Sequence, residues 1–548
     1  MTAGFDPKLH QLPVPPMRWD AWGDPDLAAP LSEGTSTLIR GMLGVSGEPA
    51  LPTIDPATVT VSPSRLSDDD LAALRAIVGE QWASTADADR LLRGAGKSTP
   101  DLLRRRLPDQ DAPDGVVAPA TDDEVAAILA WCGENRVAVV PFGGGTSVVG
   151  GLDPEAGELR AALSVDLRRM DALIDLDEVS QIATLGAGVT GPDAEKLLGE
   201  RGYSLGHFPQ SFRYATIGGF AVTRSSGQAS AGYGRFDDMV QALTLVTPAG
   251  VLEAGRSPKN AVGPDLRQLV MGSEGAFGIV TKVSVRVHKI PAATEYEGWR
   301  FDSFADAAKA FRSVAQEGVM PTVMRVSDEL ETALNLARPT EIGESDSSDD
   351  DLPDKQTPGG CLAITTFEGS PTAVAARATV VREIFTSCGG QSLGPEPAKA
   401  WEHGRFSGPY LRDALLDIGV GCETLETVTT WAKLDEVKAA VTQALAAALP
   451  EPVVTMCHIS HTYATGASLY FTIVYRQEGD ALAQWLAAKK QVTQKIADVG
   501  ASITHHHAVG RDHAPFLADE IGDLGTAALT AVKGVFDPTG VCNPGKLV

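Results

Sequence analysis

The segment "VAVVPFGGGTSVVGG", residues 137–151, most narrows what this chain can fold into: an apolar strand runs straight into a glycine-rich loop. The unbroken apolar run fits a strand covered on both faces. Glycine has no Cβ, so the loop backbone can approach a phosphate closely and aim several N–H groups at it. The spacing is neither G-x-G-x-x-G nor a Walker sequence, and taken alone a tight turn explains it equally well. Two further stretches share the texture, "PQSFRYATIGGFAVTRSSGQASAGYG" (209–234) and "MGSEGAFGIVTKV" (271–283), both dense in Gly, Ser and Thr beside strand-like runs.

Around these loops the chain divides by texture. Residues 1–112 are rich in proline, carry a helical piece at "SDDDLAALRAIVG" and read as an N-terminal helical extension. Residues 113–293 read as one α+β domain. There Thr121 and Glu124 have capping-box spacing, and Val125, Ile128, Leu129 and Cys132 follow on one helical face. Strands are expected at "VAVVPF", "ALSVDL", "QIATLGAGV", "VQALTLVT" and "TKVSVRVHK", the last alternating with Val283, Val285 and Val287 on one face. Residues 294–500 mix helices, such as the Phe304, Ala307, Ala308, Phe311 and Val314 stripe ending at Gly318, with strands at "CLAITTFEG", "VVTMCHIS" and "SLYFTIVY". That mixture predicts a cap domain built as an antiparallel sheet covered by helices. The acidic stretch near 343–358 lacks apolar residues to bury and is expected to form a mobile loop. Residues 501–548 form a C-terminal segment returning to the first domain.

At 548 residues the chain exceeds one ordinary core, in keeping with two domains. Its 71 Asp and Glu against 46 Lys and Arg give a formal charge of -25, which opposes nucleic acid and anionic surfaces. The six cysteines contain no C-x-x-C, so a structural zinc or iron–sulfur site has no support, and no disulfide framework is expected. The N-terminus lacks a signal-peptide apolar run and no stretch is long enough to span a bilayer; a cytoplasmic protein is expected.

Taken together, the three glycine loops resemble the flavin-binding domain of the vanillyl-alcohol oxidase family, the PCMH-type fold. That resemblance implies FAD held by Pro141, Phe142, Gly143, Gly144, Gly145, Thr146 and Ser147; by Gln210, Ser211, Phe212, Arg213, Tyr214, Ala215 and Thr216; by Thr223, Arg224, Ser225 and Ser226; and by Glu274, Gly275, Ala276, Phe277, Gly278, Ile279 and Val280. Many covalent members have histidine where Thr146 stands, so the FAD is expected to be non-covalent. One branch is similar over nearly the whole chain: the alkyldihydroxyacetonephosphate synthases, also called alkylglycerone-phosphate synthases. The likeness runs through "MRWDAWG", "PFGGGTSV", "LGHFPQS", "TPAG", "MGSEGAFGIVT", "MRVSD", "YLRD", "TYATGASLYF" and "HHHAVG", in that order. It implies exchange of the acyl chain of acyl-dihydroxyacetone phosphate for a fatty alcohol, through a flavin N5 adduct and without net redox change. Small lipid molecules would be its partners; peripheral membrane contact and a homodimer stay open.

"SITHHHAVG" (502–510) raises a separate question. Read as a strand, it puts His505 and His507 on one face and His506 on the other. A metal needs a third protein ligand, which His458 or His461 could supply only if the fold brings them there; no metal is expected. The resemblance instead places His505, His506 and His507 at the active site as proton carriers, where an imidazole is suited by its near-neutral pKa. In "ASLYFTIVY", Tyr470 falls on the more polar face, opposite Leu469, Phe471 and Ile473. For an arbitrary tyrosine, packing with the hydroxyl paired is the ordinary explanation; the resemblance makes Tyr470 the general acid/base. It also makes Arg412 and Arg325 substrate-binding residues, whose guanidinium groups suit phosphate oxygens, and adds His207. The competing reading is an FAD-dependent 2-hydroxy-acid dehydrogenase on the same fold, which more often carries a G-E-H-G signature where this chain has "HHHAVG".

Overall fold

The computed structural model describes residues 8–9, 17–336 and 359–548. The acidic stretch near 343–358, expected to be a mobile loop, lies outside them. Two α+β units result, one carrying the glycine loops and one carrying the histidines.

The first unit starts from the expected helix α1 (Asp122–Asn135). The Thr121 hydroxyl caps the Glu124 N–H, and Val125, Ile128, Leu129 and Cys132 are fully buried. α1 packs on strand β1 (Val137–Phe142), which pairs in parallel with β2 (Ala161–Asp166). Gly115–Val117 and the short Ala83–Ser84 complete a four-stranded sheet. Residues 83–84 come from the region read as a helical extension. Among its described residues that extension carries four α-helices, and it also lends this domain an edge strand. A five-stranded antiparallel sheet follows in the order 250–254, 240–247, 279–286, 182–186, 173–177. The C-terminal segment closes the unit: Val139 donates to the Val541 carbonyl, and Asn543 donates back to that of Val139. The side chain of Asn543 holds the carbonyls of Gly151 and Glu274, tying two glycine loops together.

The second unit is one eight-stranded sheet with helices packed on it. One end of it is formed by β3 (Val323–Ser327), β4 (Val420–Thr430), β5 (Val453–Ile459) and β6 (Gly466–Arg476), in the spatial order β3-β5-β6-β4, with β4 at the edge. In β6 the expected alternation holds: Leu469, Phe471, Ile473 and Tyr475 are buried in the core, while Tyr470, Thr472 and Val474 are half-buried. The core beneath also takes the Phe304, Ala307, Ala308, Phe311 and Val314 stripe, on a helix capped by Ser303 and ended by left-handed Gly318. β4 was not evident from sequence. Its residues "VGCETLETVTT" place Glu423 and Glu426 in a buried strand at the edge of the sheet, against the usual composition.

Candidate active site

Strand register builds the site. His458 on β5 pairs with Tyr470 on β6, which pairs with Glu426 on β4. Cross-strand partners point to the same face, so these side chains form one row, with Ser327 of β3 next beyond His458. The His458 and Tyr470 rings stack with centroids 4.7 Å apart. At one end Arg325 reaches His458 Nδ1 (3.1 Å) and Glu331, whose other carboxylate oxygen lies 3.1 Å from the same ring nitrogen.

At the other end the Glu426 carboxylate is buried and collects four donors. They are the Thr504 hydroxyl (2.6 Å) and the backbone N–H groups of His505 (2.7 Å), His506 (3.1 Å) and His507 (3.0 Å). This overturns the strand reading of "SITHHHAVG". The N–H groups a strand would offer to a neighbour are consumed by one carboxylate, so the segment wraps it as a loop, with the Nδ1 atoms of all three rings 3.6–4.0 Å from it. His505 Nδ1 lies 2.9 Å from His506 Nδ1, and His505 Nε2 lies 2.6 Å from the Tyr463 hydroxyl. His506 stacks parallel to Tyr470 at 6.1 Å, and His507 meets Tyr470 edge-on at 5.8 Å. The loop fold, not strand alternation, brings these groups to Tyr470.

The electrostatics follow from burial. It lowers the pKa of His505 and His506, and takes His507 to about 3, against the opposing pull of Glu426. The rings are therefore neutral near pH 7. For Glu426 burial opposes ionisation, but the pull that His506, His507 and His505 exert when protonated, together with the Thr504 bond, outweighs it and holds the carboxyl well below its ordinary range. Burial raises the Tyr470 phenol to about 12.

His461 also joins the cluster, stacking on His505 at 5.0 Å. With His505 and His506 it brings three nitrogen donors within 4.8 Å of one another. The condition set by the sequence for a third donor is thus met, although both His505 nitrogens already hold hydrogen bonds.

Arg412 sits buried on α2 (Gly408–Leu416). Its Nε donates to Asp413 (2.9 Å) and its Nη1 to the Lys97 carbonyl (2.5 Å). Nη2 is 2.8 Å from Asp413, an ion-pair distance without hydrogen-bond alignment, so its hydrogens have no acceptor. Among the described residues no contact joins Arg412 to Tyr470, but Glu423 acts electrostatically on both. His207 is fully buried between Phe220 and Phe236 and bonds Ser225 through Nε2. Its side chain presents no surface to a substrate.

The glycine loops do converge. A methyl group on Gly144 would collide with the Tyr214 carbonyl, one on Gly143 with Thr216, and one on Gly275 would lie 2.6 Å from Pro141. The N–H groups of residues 144–147 find no acceptor among the described residues, although the segment is mostly half-exposed. Four adjacent free donors beside a strand end suit a pyrophosphate. Not every expected FAD residue can contribute a side chain. Ala276, Phe277, Ile279 and Val280 are buried in the protein's own cores, and Arg224 is engaged by Asp237 and Gln268.

Comparison with known proteins bears on the same features. Residues 113–255 match the family described as FAD binding domain, and residues 290–547 the one described as FAD linked oxidases, C-terminal domain. The alkyldihydroxyacetonephosphate synthase of Dictyostelium discoideum is 31% identical over 99% of this chain and 95% of its own length. The chain belongs to the alkyldihydroxyacetonephosphate synthase family. A solved alkyldihydroxyacetonephosphate synthase superposes with a TM-score of 0.80 at 28% identity, covering 96% of this chain and 98% of that one. p-Cresol methylhydroxylase shares the fold, with a TM-score of 0.67 at 16% identity over 87% of this chain and 96% of its own. FAD is thus the cofactor of this synthase-family chain, and its free loop donors fit the cofactor's phosphates.

The sequence reading missed Glu426, Tyr463 and Glu331 and left His458 and His461 without a role. Only "CHISHTY" carried a signal, two histidines at i and i+3 in a strand and its turn.

Proposed function

We propose that this chain exchanges the acyl chain of acyl-dihydroxyacetone phosphate for a fatty alcohol, yielding the ether-linked product. The observation that carries this reading is the row His458–Tyr470–Glu426 with the three histidines folded over it, on a chain of this family. Bound FAD would supply a redox-neutral hold on the substrate carbon while one chain leaves and the other arrives. Thr146 offers no ring nitrogen for attachment, which supports a non-covalent cofactor.

In this reading Tyr470 moves the proton at the substrate carbon. Its phenol, raised to about 12, stays protonated near neutrality and so acts first as a donor. Neutral His506 and His507, beside it, accept and return protons. Glu426 positions both by fixing their backbone. Arg412 offers its unpaired Nη2 hydrogens to the phosphate, and Arg325 orders His458 through Glu331. Both substrates are lipids, so the surface around the site entrance meets a bilayer peripherally. Among the described residues no helix is long and apolar enough to cross one.

The test is Tyr470→Phe. The variant should bind FAD as the wild type does and lose exchange of labelled fatty alcohol by at least 10³-fold. Retained turnover would remove Tyr470 from the chemistry.

A further inference from the structure

The exchange just proposed has a proton balance. The bond between the substrate carbon and the acyl oxygen breaks, and the carboxylate leaves with the electron pair. The bond between that carbon and the alcohol oxygen forms, and the alcohol gives up its proton. Near pH 7 the departing fatty acid remains ionised, since a carboxyl titrates near 4–5, so about one proton per turnover must leave a buried site. No net oxidation or reduction occurs.

We propose that this proton leaves through His506, His505 and Tyr463, and that Tyr463 is a positioning and relay residue at the solvent end. The inference rests on the exchange reading of the same site. The hydrogen-bonded path is continuous from His506 to Tyr463. His506 stacks on Tyr470; its Nδ1 is 2.9 Å from His505 Nδ1; and His505 Nε2 is 2.6 Å from the Tyr463 hydroxyl. Both nitrogens of one ring are thus committed to partners on opposite sides. A neutral imidazole has one donor and one acceptor nitrogen. In one tautomer His505 accepts from His506 and donates to Tyr463; in the other it donates to His506 and accepts from Tyr463. Passing a proton along the row interconverts them and needs no lasting imidazolium.

The outer end is open. Tyr463 is half-buried and lines a cleft of about 390 Å³ whose rim includes exposed Thr430, Lys433 and Thr465. Inward of Tyr463 the ring of His461 covers His505, so the described residues offer the buried ring a hydrogen-bonded way out through that phenol. The charged and titratable groups facing His505 are Glu426, Arg235, His461, His506 and His507; those facing Tyr463 are Arg235, Asp237 and Asp238. Burial raises the Tyr463 phenol to about 12 although Arg235 beside it pulls the other way, so the phenol stays protonated near neutrality and hands a proton on only as it takes one up from His505.

The experiment compares the wild-type holoenzyme with Tyr463→Phe in the labelled-alcohol exchange assay from pH 6 to 9. We expect unchanged FAD content, KM values within twofold, and kcat about 10-fold lower at pH 7. Added imidazole, small enough for the cleft, should restore kcat several-fold, which repair of a packing defect would not do. A variant with wild-type kcat, or a loss that imidazole leaves untouched, overturns the relay. If Tyr463→Phe loses its flavin, Tyr463→His carries the test: its kcat should gain a pH dependence centred in the imidazole range, and a profile identical to the wild type overturns the proposal. Failure of the wild-type enzyme itself to exchange would refute the functional reading and this inference with it, and is distinguished because it does not depend on any variant.

Discussion

Glu426→Gln is the perturbation that most directly probes how this site is held. All four donors on the carboxylate reach Oε1, and the His505 N–H also reaches Oε2 at 2.7 Å. With the glutamine carbonyl at the Oε1 position each donor keeps an acceptor but loses its charge. A hydrogen bond to a charged group contributes roughly 1.5–3 kcal/mol against about 1 for a neutral one, so the four together weaken by about 2–8 kcal/mol. The amide NH₂ at the Oε2 position then faces the His505 N–H, a donor against a donor. The fold should survive, because the sheet core beneath is untouched; the loop 504–507 should not hold its place. We expect FAD content within 20% of wild type from the flavin absorbance, and kcat for exchange reduced about 10²-fold, equivalent to roughly 2.7 kcal/mol. Histidine NMR should show His505, His506 and His507 in several environments. Wild-type kcat in a glutamine variant would refute the claim that this carboxylate sets the histidines in place.

Gly144→Ala should yield colourless protein, because the added methyl meets the Tyr214 carbonyl and forces the first glycine loop out of position; the ratio of flavin to protein absorbance measures it. Arg412→Lys keeps the charge but loses the planar fork, and should raise KM for the phosphate substrate about 10-fold with kcat within threefold. Burial raises Glu274 from 4.5 to about 7. Its native state holds the proton that the unfolded chain releases, so stability falls as pH rises from about 4.5 through 7, by up to ~3 kcal/mol. Glu274→Gln should flatten the melting temperature across that window, and a parallel slope in both proteins would contradict the assignment. Because both nitrogens of His505 are already hydrogen-bonded, prolonged dialysis against a chelator should leave exchange unchanged; loss restored by zinc would place a metal among His461, His505 and His506.

What was legible in the sequence followed periodicity. β1 announced itself as an unbroken apolar run, β6 as strict alternation, and α1 by its cap and apolar stripe. The glycine loops gave the cofactor site because a close backbone approach has a residue-level signature. β4 gave no such sign. Glu423 and Glu426 make it look like a solvated segment, and they are tolerated only because donors from distant chain positions, Thr99 and residues 504–507, converge on them. The same long-range fact hid the loop form of the histidine run, since local sequence cannot show that one carboxylate takes three successive N–H groups. His207 illustrates the converse: a motif match identified the position, but only the fold shows that it is buried between Phe220 and Phe236.

The central claim is redox-neutral exchange at this site. Its most direct measurement uses purified holoenzyme with acyl-dihydroxyacetone phosphate and labelled fatty alcohol, without an electron acceptor, following label incorporation, fatty acid release and the flavin spectrum together. Incorporation equal to fatty acid released, with no net bleaching of the flavin after turnover, is the predicted result. No incorporation, together with flavin bleached by a small 2-hydroxy acid, would contradict it and make the same fold a dehydrogenase.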